Sequence, residues 1–310
     1  MARTPLFANN QPGGMFTITD VPQHPGNVFF VDSGHDNAED ALGGGGSPDT
    51  PLATLDYAVG LCTANNGDVI YVMPGHAETI ATAAALDINV AGIKVIGLGW
   101  GATRPTFSLS AAASTVAIGA SSVWIENMIF AATFTDGVVV GLDIDDAHTD
   151  VMVKNCEFRD TLATKEFLTT VTIAADAQRV TFDGCEFRGL AGSGTSCIIT
   201  EGACTDLTVH GCLFHGTWTT AVITLTAGTN VVVTPRIINN VAYNSDTSAG
   251  LFCALDSGTI GLFVGNRTGI GKANTVPVTD TSASVMIDNL ATDAANVSEL
   301  KYPATATAWS

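Results

Sequence analysis

The sequence predicts an all-β fold, a right-handed parallel β-helix with a short N-terminal capping helix, and three observations predict it. Apolar residues make up 46% of the 310-residue chain and charged residues only 14%, which argues against disorder and against a coiled coil. A pattern of apolar positions punctuated by Gly or Asn recurs through most of the chain. Within each repeat the apolar residues alternate with period two, as they do in half-buried strands.

The repeat becomes visible when segments are aligned on a fifth residue that is always Gly or Asn. The clearest segments are IKVIGLGW, VWIENMIF, VMVKNCEF, VTFDGCEF and LTVHGCLF, whose fifth residues are Gly97, Asn127, Asn155, Gly184 and Gly211. The series continues through Asn240, Asn266 and Asn289, and all spacings lie between 23 and 30 residues. A period in this range indicates coils that must stack on one another to bury their apolar faces.

The fifth residue is predicted to be a bend between two strands. The apolar alternation steps by three across it, and a shift of one in a period-two pattern indicates that the chain turns there. Gly and Asn tolerate the left-handed conformation that such a bend requires. A further strand fits before the next coil, in the segments 137–144, 167–173, 196–200, 221–225 and 251–255. Each coil therefore holds about three short strands.

Three cysteines occupy equivalent positions in successive coils, namely Cys156, Cys185 and Cys212. They are predicted to form an interior column of reduced thiols. The alternative is a disulfide within the column, which needs a bridge geometry that stacked parallel positions rarely offer. The seven cysteines of the chain include no CxxC pair, so no zinc or redox motif is indicated.

The first ninety residues differ from the repeats. Residues 1–27 lack periodicity and are predicted to form an extended arm, and residues 28–32 are predicted to form a strand. The GGGGS run at 43–47 is predicted to be a flexible loop. Thr50 and Pro51 are predicted to begin a capping helix over about 51–62, which would cover the open end of the solenoid. The chain is thus predicted to have one β-helix domain, 28–298, with repeats over about 67–292 and a tail over 299–310.

The charge balance argues against nucleic acid as a partner. Twelve Lys and Arg stand against 30 Asp and Glu, which gives a net charge of −18, and no basic run is present to displace counterions from phosphates. No apolar run has the length of a membrane span, and the N-terminal residues lack the apolar core of a secretory signal. Neither a membrane partner nor a cofactor is expected.

Three segments together carry a resemblance. They are SPDTPLATLDYAV (47–59), NNGDVIYVMPGHAETI (65–80) and IKVIGLGWGATRPTF (93–107). In this order, and followed by the punctuated coils, they resemble pectate-lyase-like right-handed β-helix proteins, above all the small bacteriophage virion proteins with this opening. The resemblance covers roughly residues 28–292 and implies side-by-side trimers. For an enzyme it implies either clustered Asp residues that bind calcium near an Arg base, or paired acidic residues on an outer sheet.

The best acidic cluster contains four carboxylates and a histidine: Asp143, Asp145, Asp146, Asp150 and His148. Carboxylates grouped on a loop can bind Ca²⁺ through their oxygen atoms. Because no Arg or Lys follows until Lys154, a solvated loop or an adventitious cation site is favoured over a catalytic role.

Glu157 and Glu186 are predicted to share one outward position on adjacent coils, with Arg159 and Arg188 two residues along on the same face. Adjacent carboxylates can act as acid and base in glycoside hydrolysis. Since each Glu has a cation at hand, an exposed ion-pair lattice is the favoured interpretation.

Other candidate motifs lack the context their chemistry needs. His210 and His215 lie five residues apart across a bend, unlike the ligands of a zincin, and are predicted to be surface histidines. GLGWG (97–101) precedes no helix that would bind a phosphate. Asn266-Arg267-Thr268 is a glycosylation sequon without evidence of secretion.

The tryptophans do not predict a carbohydrate groove. Trp100 falls on an inward phase of its strand, whereas Trp124 and Trp218 are predicted to be exposed. Two scattered tryptophans do not form the aromatic surface that a sugar-binding sheet presents.

We therefore predict a non-enzymatic virion protein, a cement protein that decorates and stabilises a bacteriophage capsid. It would be made in the host cytoplasm and lie on the outer capsid surface. No catalytic, cofactor-binding or metal-binding residue is assigned. The expected partners are the major capsid protein, held by residues 1–27 and by 299–310, and further copies of the chain in a homotrimer.

Two alternatives stay open. One is a tailspike or tail fibre that binds or cleaves host polysaccharide. The other is a free polysaccharide lyase. If the chain is an enzyme, the first residues to mutate are Asp145, Asp146, Glu157 and Glu186.

Overall fold

The computed structural model describes residues 26–83, 85–190, 192, 194–225, 232–248, 250–256, 258–273, 278–279, 284–293 and 300–301. In chain order the first fourteen strands are β1 (Val28–Val31), β2 (Val69–Val72), β3 (Ala77–Ile80), β4 (Leu86–Asp87), β5 (Lys94–Gly97), β6 (Thr106–Leu109), β7 (Val116–Ile118), β8 (Trp124–Glu126), β9 (Ile129–Ala132), β10 (Val138–Ile144), β11 (Met152–Lys154), β12 (Glu157–Asp160), β13 (Phe167–Ile173) and β14 (Thr181–Asp183).

The remaining strands are β15 (Glu186–Arg188), β16 (Ser196–Thr200), β17 (Thr208–His210), β18 (Leu213–Gly216), β19 (Ala221–Leu225), β20 (Val233–Ile238), β21 (Val241–Asn244), β22 (Leu251–Leu255), β23 (Ile260–Val264), β24 (Arg267–Ile270), β25 (Val278–Thr279), β26 (Val285–Ile287), β27 (Leu290–Asp293) and β28 (Leu300–Lys301). The described residues also contain one α-helix, α1 (Leu55–Leu61), and one 3-10 turn, Gly101–Thr103. No helix among them is long and apolar enough to cross a membrane.

The strands form three sheets, and each full coil contributes one strand to each sheet in turn. The first sheet has the order β1-β2-β5-β8-β11-β14-β17-β20-β23-β26, the second β3-β6-β9-β12-β15-β18-β21-β24-β27-β28 and the third β4-β7-β10-β13-β16-β19-β22-β25. Neighbouring strands are parallel, apart from the antiparallel pair β27 and β28. This architecture confirms the predicted parallel β-helix, and the third strand of each coil lies where the apolar segments predicted it.

The core is built from columns of equivalent residues. Five phenylalanines on the second sheet stack with ring centroids 4.8 to 5.7 Å apart: Phe107, Phe130, Phe158, Phe187 and Phe214. The predicted cysteine column, Cys156, Cys185 and Cys212, is also buried. All seven cysteines of the chain are free thiols, so the disulfide alternative is wrong.

The predicted bends are confirmed in the middle of the chain and displaced at its two ends. Asn127, Asn155, Gly184 and Gly211 all have the left-handed backbone, with φ between 51° and 63°. Gly97 does not share this conformation, and the left-handed residue there is Gly99, with φ of 93°.

Beyond β17 the predicted bends are wrong by one residue. The left-handed residues are Asn239, Gly265 and Asp288, each directly before the asparagine that the alignment selected. The alignment slipped because Asn239 and Asn240 are adjacent and either one fits the Gly/Asn position. Strand pairing settles the register, since Val209 lies opposite Ile237.

Asn240, Asn266 and Asn289 instead point inward and extend the cysteine column. All three are buried. The backbone N–H of Asn240 donates to Oδ1 of Asn266, and that of Asn266 to Oδ1 of Asn289, each at 3.0 Å. The Asn240 amide also accepts from the Cys212 N–H at 2.9 Å and donates to the Val209 carbonyl at 2.9 Å. These polar side chains are tolerated in the core because every coil supplies them with partners.

The capping helix starts later than predicted. Its N-cap is Thr54, whose side chain accepts a hydrogen bond from the Tyr57 N–H at 3.3 Å. Pro51 and Leu52 are extended instead, because Leu52 donates to the Phe30 carbonyl and so pairs with β1. The buried face of α1 contains Leu55, Ala58 and Val59.

The GGGGS run was predicted to be a flexible loop, but backbone hydrogen bonds of Gly45 hold it against β1. The Gly45 carbonyl accepts from the Phe30 N–H at 2.8 Å, and the Gly45 N–H donates to the Thr50 carbonyl at 2.9 Å. Gly45 has a φ of 78°, and a Cβ at this position would meet Leu52 at 2.7 Å. The glycine is therefore required by close packing.

The predicted arm over 1–27 lies outside the described residues except for Gly26 and Asn27. Of the predicted tail over 299–310, the structure describes Leu300 and Lys301, which form the short strand β28.

The asparagine register predicts opposite outcomes for two neighbouring substitutions. Asn240→Gly should lower the free energy of unfolding by about 2–4 kcal/mol, because the Cys212 N–H and the Val209 carbonyl lose their buried partner. Asn239→Gly should change it by less than about 1 kcal/mol, because glycine adopts the left-handed conformation without strain. Urea unfolding followed by circular dichroism measures both. If both substitutions lowered the free energy of unfolding equally, or if Asn239→Gly lowered it more, the bend would have to be assigned to Asn240.

Candidate functional site

The outer face of the second sheet brings together the charged residues that the sequence singled out. Glu157 lies opposite Glu186, and Arg159 lies opposite Arg188, in the parallel pairing of β12 and β15. We call these four residues the Glu-Arg ladder. Its register is as predicted, because the period-two pattern fixes which side chains of each strand point outward.

The two glutamates of the ladder differ in exposure. The Glu157 side chain is only 8% exposed, since three guanidinium groups surround it. Arg104, near the start of β6, hydrogen-bonds to Glu157 Oε2, while Arg159 lies 3.6 Å and Arg188 3.9 Å from Oε1. The predicted exposed lattice is therefore wrong for Glu157, which is buried, whereas Arg159 and Arg188 are exposed, at 41% and 59%.

Glu186 is more exposed than Glu157 and also contacts Arg188. Its carboxylate lies 2.6 Å from Arg188. With Arg104 included, three arginines accompany the two glutamates of the ladder, on a chain whose net charge is −18. Sequence reasoning missed Arg104 because it lies 53 residues before Glu157 and only the stacking of coils brings the two together.

Trp100 lies in the loop that precedes Arg104 and is 85% exposed, so the predicted inward orientation is wrong. The loop that carries it is held in place. Asn127 donates from Nδ2 to the carbonyls of Gly97 and Gly99 at 2.8 and 3.0 Å. Arg104 donates from Nε to the Gly101 carbonyl at 3.4 Å. The inward–outward alternation of β5 cannot be extended to Trp100, because the strand ends at Gly97 and the left-handed Gly99 turns the chain.

Trp124 and Trp218 are less exposed than predicted. Trp218 is buried and contacts Gly189 and Gly216, where a Cβ would meet its ring at 3.3 and 2.8 Å. Trp124 is half-buried on the first sheet, with the ammonium groups of Lys94 and Lys154 4.7 and 5.8 Å from its ring centroid.

The acidic loop after β10 divides into separate pairs. Asp145 lies 3.2 Å from His148, and Asp146 is a left-handed turn residue. Burial raises the pKa of Asp145, which the neighbouring His148 partly offsets. The described residues contain no group of three or more His, Cys, Asp or Glu side chains arranged to hold a metal ion.

The remaining carboxylates of that loop bind residues of the next coil. Asp143 accepts a hydrogen bond from the Thr172 hydroxyl. Asp150 receives two hydrogen bonds from Arg179, at 2.6 and 2.8 Å, and this bonding lowers the pKa of Asp150. Arg179 supplies a cation to this loop although it lies 29 residues after Asp150 in the sequence, because it stacks one coil above the loop.

The two candidate histidines lie on different sheets and do not meet. His210, on the first sheet, is 2.7 Å from Asp183. His215, on the second sheet, stacks on Tyr243 with ring centroids 5.5 Å apart. Both are exposed, as predicted. The sequon residue Asn266 is buried in the asparagine column.

A second acidic site, which the sequence analysis missed, lies at the corner between the second and third sheets. Asp160 accepts hydrogen bonds from the Phe167 N–H at 3.0 Å and the Leu190 N–H at 2.8 Å. Burial nevertheless raises the pKa of Asp160 to about 6. Glu166 is also buried, and both carboxylates line a cavity of about 10 Å³ beside Trp218. This volume suffices for about one water molecule.

The Asp160 carboxylate links two successive coils through its hydrogen bonds to their backbones. Phe167 belongs to its own coil and Leu190 to the next, so one carboxylate fixes two successive corners. No sequence pattern indicates this role, because Asp160 follows the outward Arg159 and precedes a polar loop.

Comparison with known proteins identifies no family for this chain. No family model matches the sequence, and no curated protein matches it. Among solved structures the chain is similar to a rhamnogalacturonan lyase, with 13% sequence identity and a TM-score of 0.46, over 80% of this chain and 75% of that one. A likeness at this level shows the β-helix fold alone.

The match corrects the prediction that this chain is not an enzyme. The solved structure to which the chain is similar is named a lyase, so the exclusion of catalysis is withdrawn, and the likeness assigns no activity in its place. A β-helix hosts catalytic and non-catalytic functions alike, so the fold gives no ground for excluding an activity. At 13% identity no substrate and no residue role is transferred.

Asp160 predicts a pH-dependent stability. Its folded pKa of about 6 exceeds the unfolded value of about 3.9, so the folded state binds the proton more tightly. Stability from this group is therefore complete below about pH 4 and is lost as the pH rises through about 6. Between pH 4 and 7 the unfolding free energy of the wild type should fall by about 2–3 kcal/mol more than that of Asp160→Asn. If the unfolding free energies of the two proteins fell by the same amount between pH 4 and 7, this role of Asp160 would be refuted.

Proposed function

We propose that this protein is a structural component of a bacteriophage virion that decorates and stabilises the capsid. The resemblance carried by residues 47–107 supports this role. The structural observation that carries the proposal is the anchor at which the N-terminal segment joins the first coil.

The anchor is the buried carboxylate of Asp68. It accepts hydrogen bonds from the Asn27 N–H at 2.5 Å, the Thr63 N–H at 2.7 Å and the Asn66 amide at 2.7 Å. The Asn27 carbonyl in turn accepts from the Val69 N–H at 2.9 Å. A charge-assisted, buried set of bonds of this kind is stronger than a neutral one.

The anchor also requires a glycine at position 26. At Gly26 a Cβ would come within 2.3 Å of the Asp68 carboxylate, so only glycine fits there. A segment bonded in this way to the first coil can transmit load from a partner to the solenoid. A cement protein needs such a connection, because it must hold neighbouring capsid subunits together. In this proposal residues 1–25 contact the major capsid protein on the outer surface of the particle.

The proposal predicts a high copy number in particles. Quantitative mass spectrometry of purified particles should find this chain on the order of hundreds of copies, because a shell offers repeated symmetric sites. A handful of copies per particle would indicate a tail component instead. Its absence from particles would refute a virion role.

The attachment itself is tested by removing residues 1–25. Gly26 and Asn27 are kept so that the Asp68 anchor stays intact. The shortened chain should keep the circular dichroism and melting behaviour of the full chain and lose binding to undecorated capsids. Unchanged capsid binding would overturn the role assigned to the N-terminal segment.

A second candidate function is binding of host polysaccharide, as in a tailspike. The observation that favours it is Trp100, a highly exposed aromatic ring on a hydrogen-bonded loop four residues before Arg104. Indole rings present a large apolar face with a polar edge, which suits stacking on a sugar ring. Farther along the second sheet, the guanidinium groups of Arg159 and Arg188 are 41% and 59% exposed and can donate hydrogen bonds to an acidic saccharide.

This alternative predicts that Trp100→Ala weakens binding to acidic oligosaccharides by about tenfold, equivalent to about 1.4 kcal/mol. Calorimetry on the full chain measures the affinity, and product analysis of the same mixtures reveals any cleavage. The matched control is Leu42→Ala, which removes another highly exposed apolar side chain, 88% exposed, away from the arginines. Equal affinities for the two variants would exclude Trp100 from a glycan site.

A further inference from the structure

The last coil of the first sheet presents an open strand edge. Strand β26 (Val285–Ile287) pairs with β23 in the coil below, and no strand among the described residues pairs with its other side. The Ile287 carbonyl accepts from the Gly265 N–H of the coil below at 3.0 Å. Because successive residues of a strand present their backbone groups to opposite sides, those of Met286 point to the open side. An edge of this kind is a template for pairing with another strand.

The corresponding edge of the second sheet is covered by β28. This strand pairs antiparallel with β27, so that Leu300 lies opposite Ala291 and Lys301 opposite Leu290. The chain therefore leaves Lys301 in the direction of the left-handed bend at Asp288, and β26 lies directly beyond that bend. The residues that follow Lys301 start at the corner beside the open edge.

The nine residues after β28 have a sequence that suits this edge. They read YPATATAWS (302–310). When the antiparallel register of β28 is continued, Pro303 falls opposite the bend residue Asp288, where the hydrogen bond that proline cannot donate is not needed. Thr305 falls opposite Met286, within an alternation of Ala and Thr, and Thr is enriched in strands.

The segment is long enough to reach along the edge, and pairing there would bury apolar surface. An extended strand rises about 3.3 Å per residue, so nine residues span about 30 Å, whereas Leu290 and Val285 are separated by about 17 Å of strand. Met286 packs against the core and is only half-buried. On the outer face, Val285 and Ile287 are 50% and 53% exposed. A strand along the edge would shield part of all three side chains from water, which is favourable.

We propose that residues 302–310 form an antiparallel strand along β26 and close the first sheet at this end of the solenoid. The partner of the open edge is thus a segment of the same chain, bound through its backbone. Such a strand removes an edge that would otherwise accept a strand of another chain. The inference replaces the expectation that this segment binds the capsid. It goes beyond the virion proposal and does not depend on it.

Two pairs of introduced cysteines test the pairing in the full chain. Because the backbone of Ile287 bonds to the coil below, Ala304 faces it at a non-hydrogen-bonded position, with Cα atoms about 4.5 Å apart, a distance that a disulfide spans. The same holds for Val285 and Ala306. The pairs Ile287→Cys with Ala304→Cys and Val285→Cys with Ala306→Cys are made in a Cys62→Ser background, since the other six native cysteines are buried. Mild oxidation should close both pairs within one chain, as measured by peptide mass spectrometry.

The matched control combines Ala304→Cys with Val264→Cys. Val264 lies in the same column as Ile287, one coil below it. The Cα atoms of the control pair are then more than about 7 Å apart, too far for a disulfide, so this pair should stay reduced. The proposal is overturned if neither test pair closes, or if the control closes as readily, because residues 302–310 would then not be fixed along β26.

Hydrogen exchange tests the same contact without introduced cysteines. In the full chain the Met286 amide should be protected, because the Thr305 carbonyl accepts its hydrogen bond. A chain that stops at Lys301 should exchange this amide about tenfold faster, while the amides of β11 and β14 in the middle coils keep their rates. Equal exchange of the Met286 amide in the two chains would also overturn the proposal.

Discussion

The whole structure depends on the parallel hydrogen bonding of each coil to the next. Because equivalent residues lie directly above one another, a side chain at one position must suit the same position one coil above and below. The phenylalanine column meets this requirement by ring stacking at about 5 Å, close to the spacing of neighbouring strands. The cysteine column meets it with small apolar thiols. Its continuation, formed by Asn240, Asn266 and Asn289, meets it with amides that hydrogen-bond along the column. The left-handed bends keep these columns in register.

The same stacking governs the surface. Outward residues also form columns, so like charges on adjacent coils face each other and need compensation. Glu157 and Glu186 would repel if they were alone, and Arg104, Arg159 and Arg188 offset that repulsion. Where no charges are placed, as at Val233 and Ile260, the column becomes an apolar strip. A solenoid therefore makes binding surfaces by repetition, and a functional surface is recognised as a column whose composition differs from that of its neighbours.

The sequence was sufficient to predict the fold, because alternation and period are local signals. It located the bends at Asn127, Asn155, Gly184 and Gly211, and the column of buried cysteines. It failed where two residues satisfied one signal, as at Asn239 and Asn240, and where glycines displaced the strand phase, as at Trp100. It could not find the partners of the candidate site, Arg104 for Glu157 and Arg179 for Asp150, because these lie one or two coils away and their contacts depend on the exact stacking. Asp160 was missed since its bonds are to backbone groups that carry no sequence signature.

The distribution of charge and apolar surface gives the two ends of the solenoid different properties. At the first coil a buried carboxylate, Asp68, bonds the chain that enters the fold, and helix α1 covers the neighbouring core. At the last coils the outward strands lose their acidic residues and expose valine, isoleucine and tyrosine. The character of the outward surface therefore changes along the solenoid axis, from charged columns on the middle coils to apolar strips on the last ones. The two ends consequently offer different chemistry to a partner.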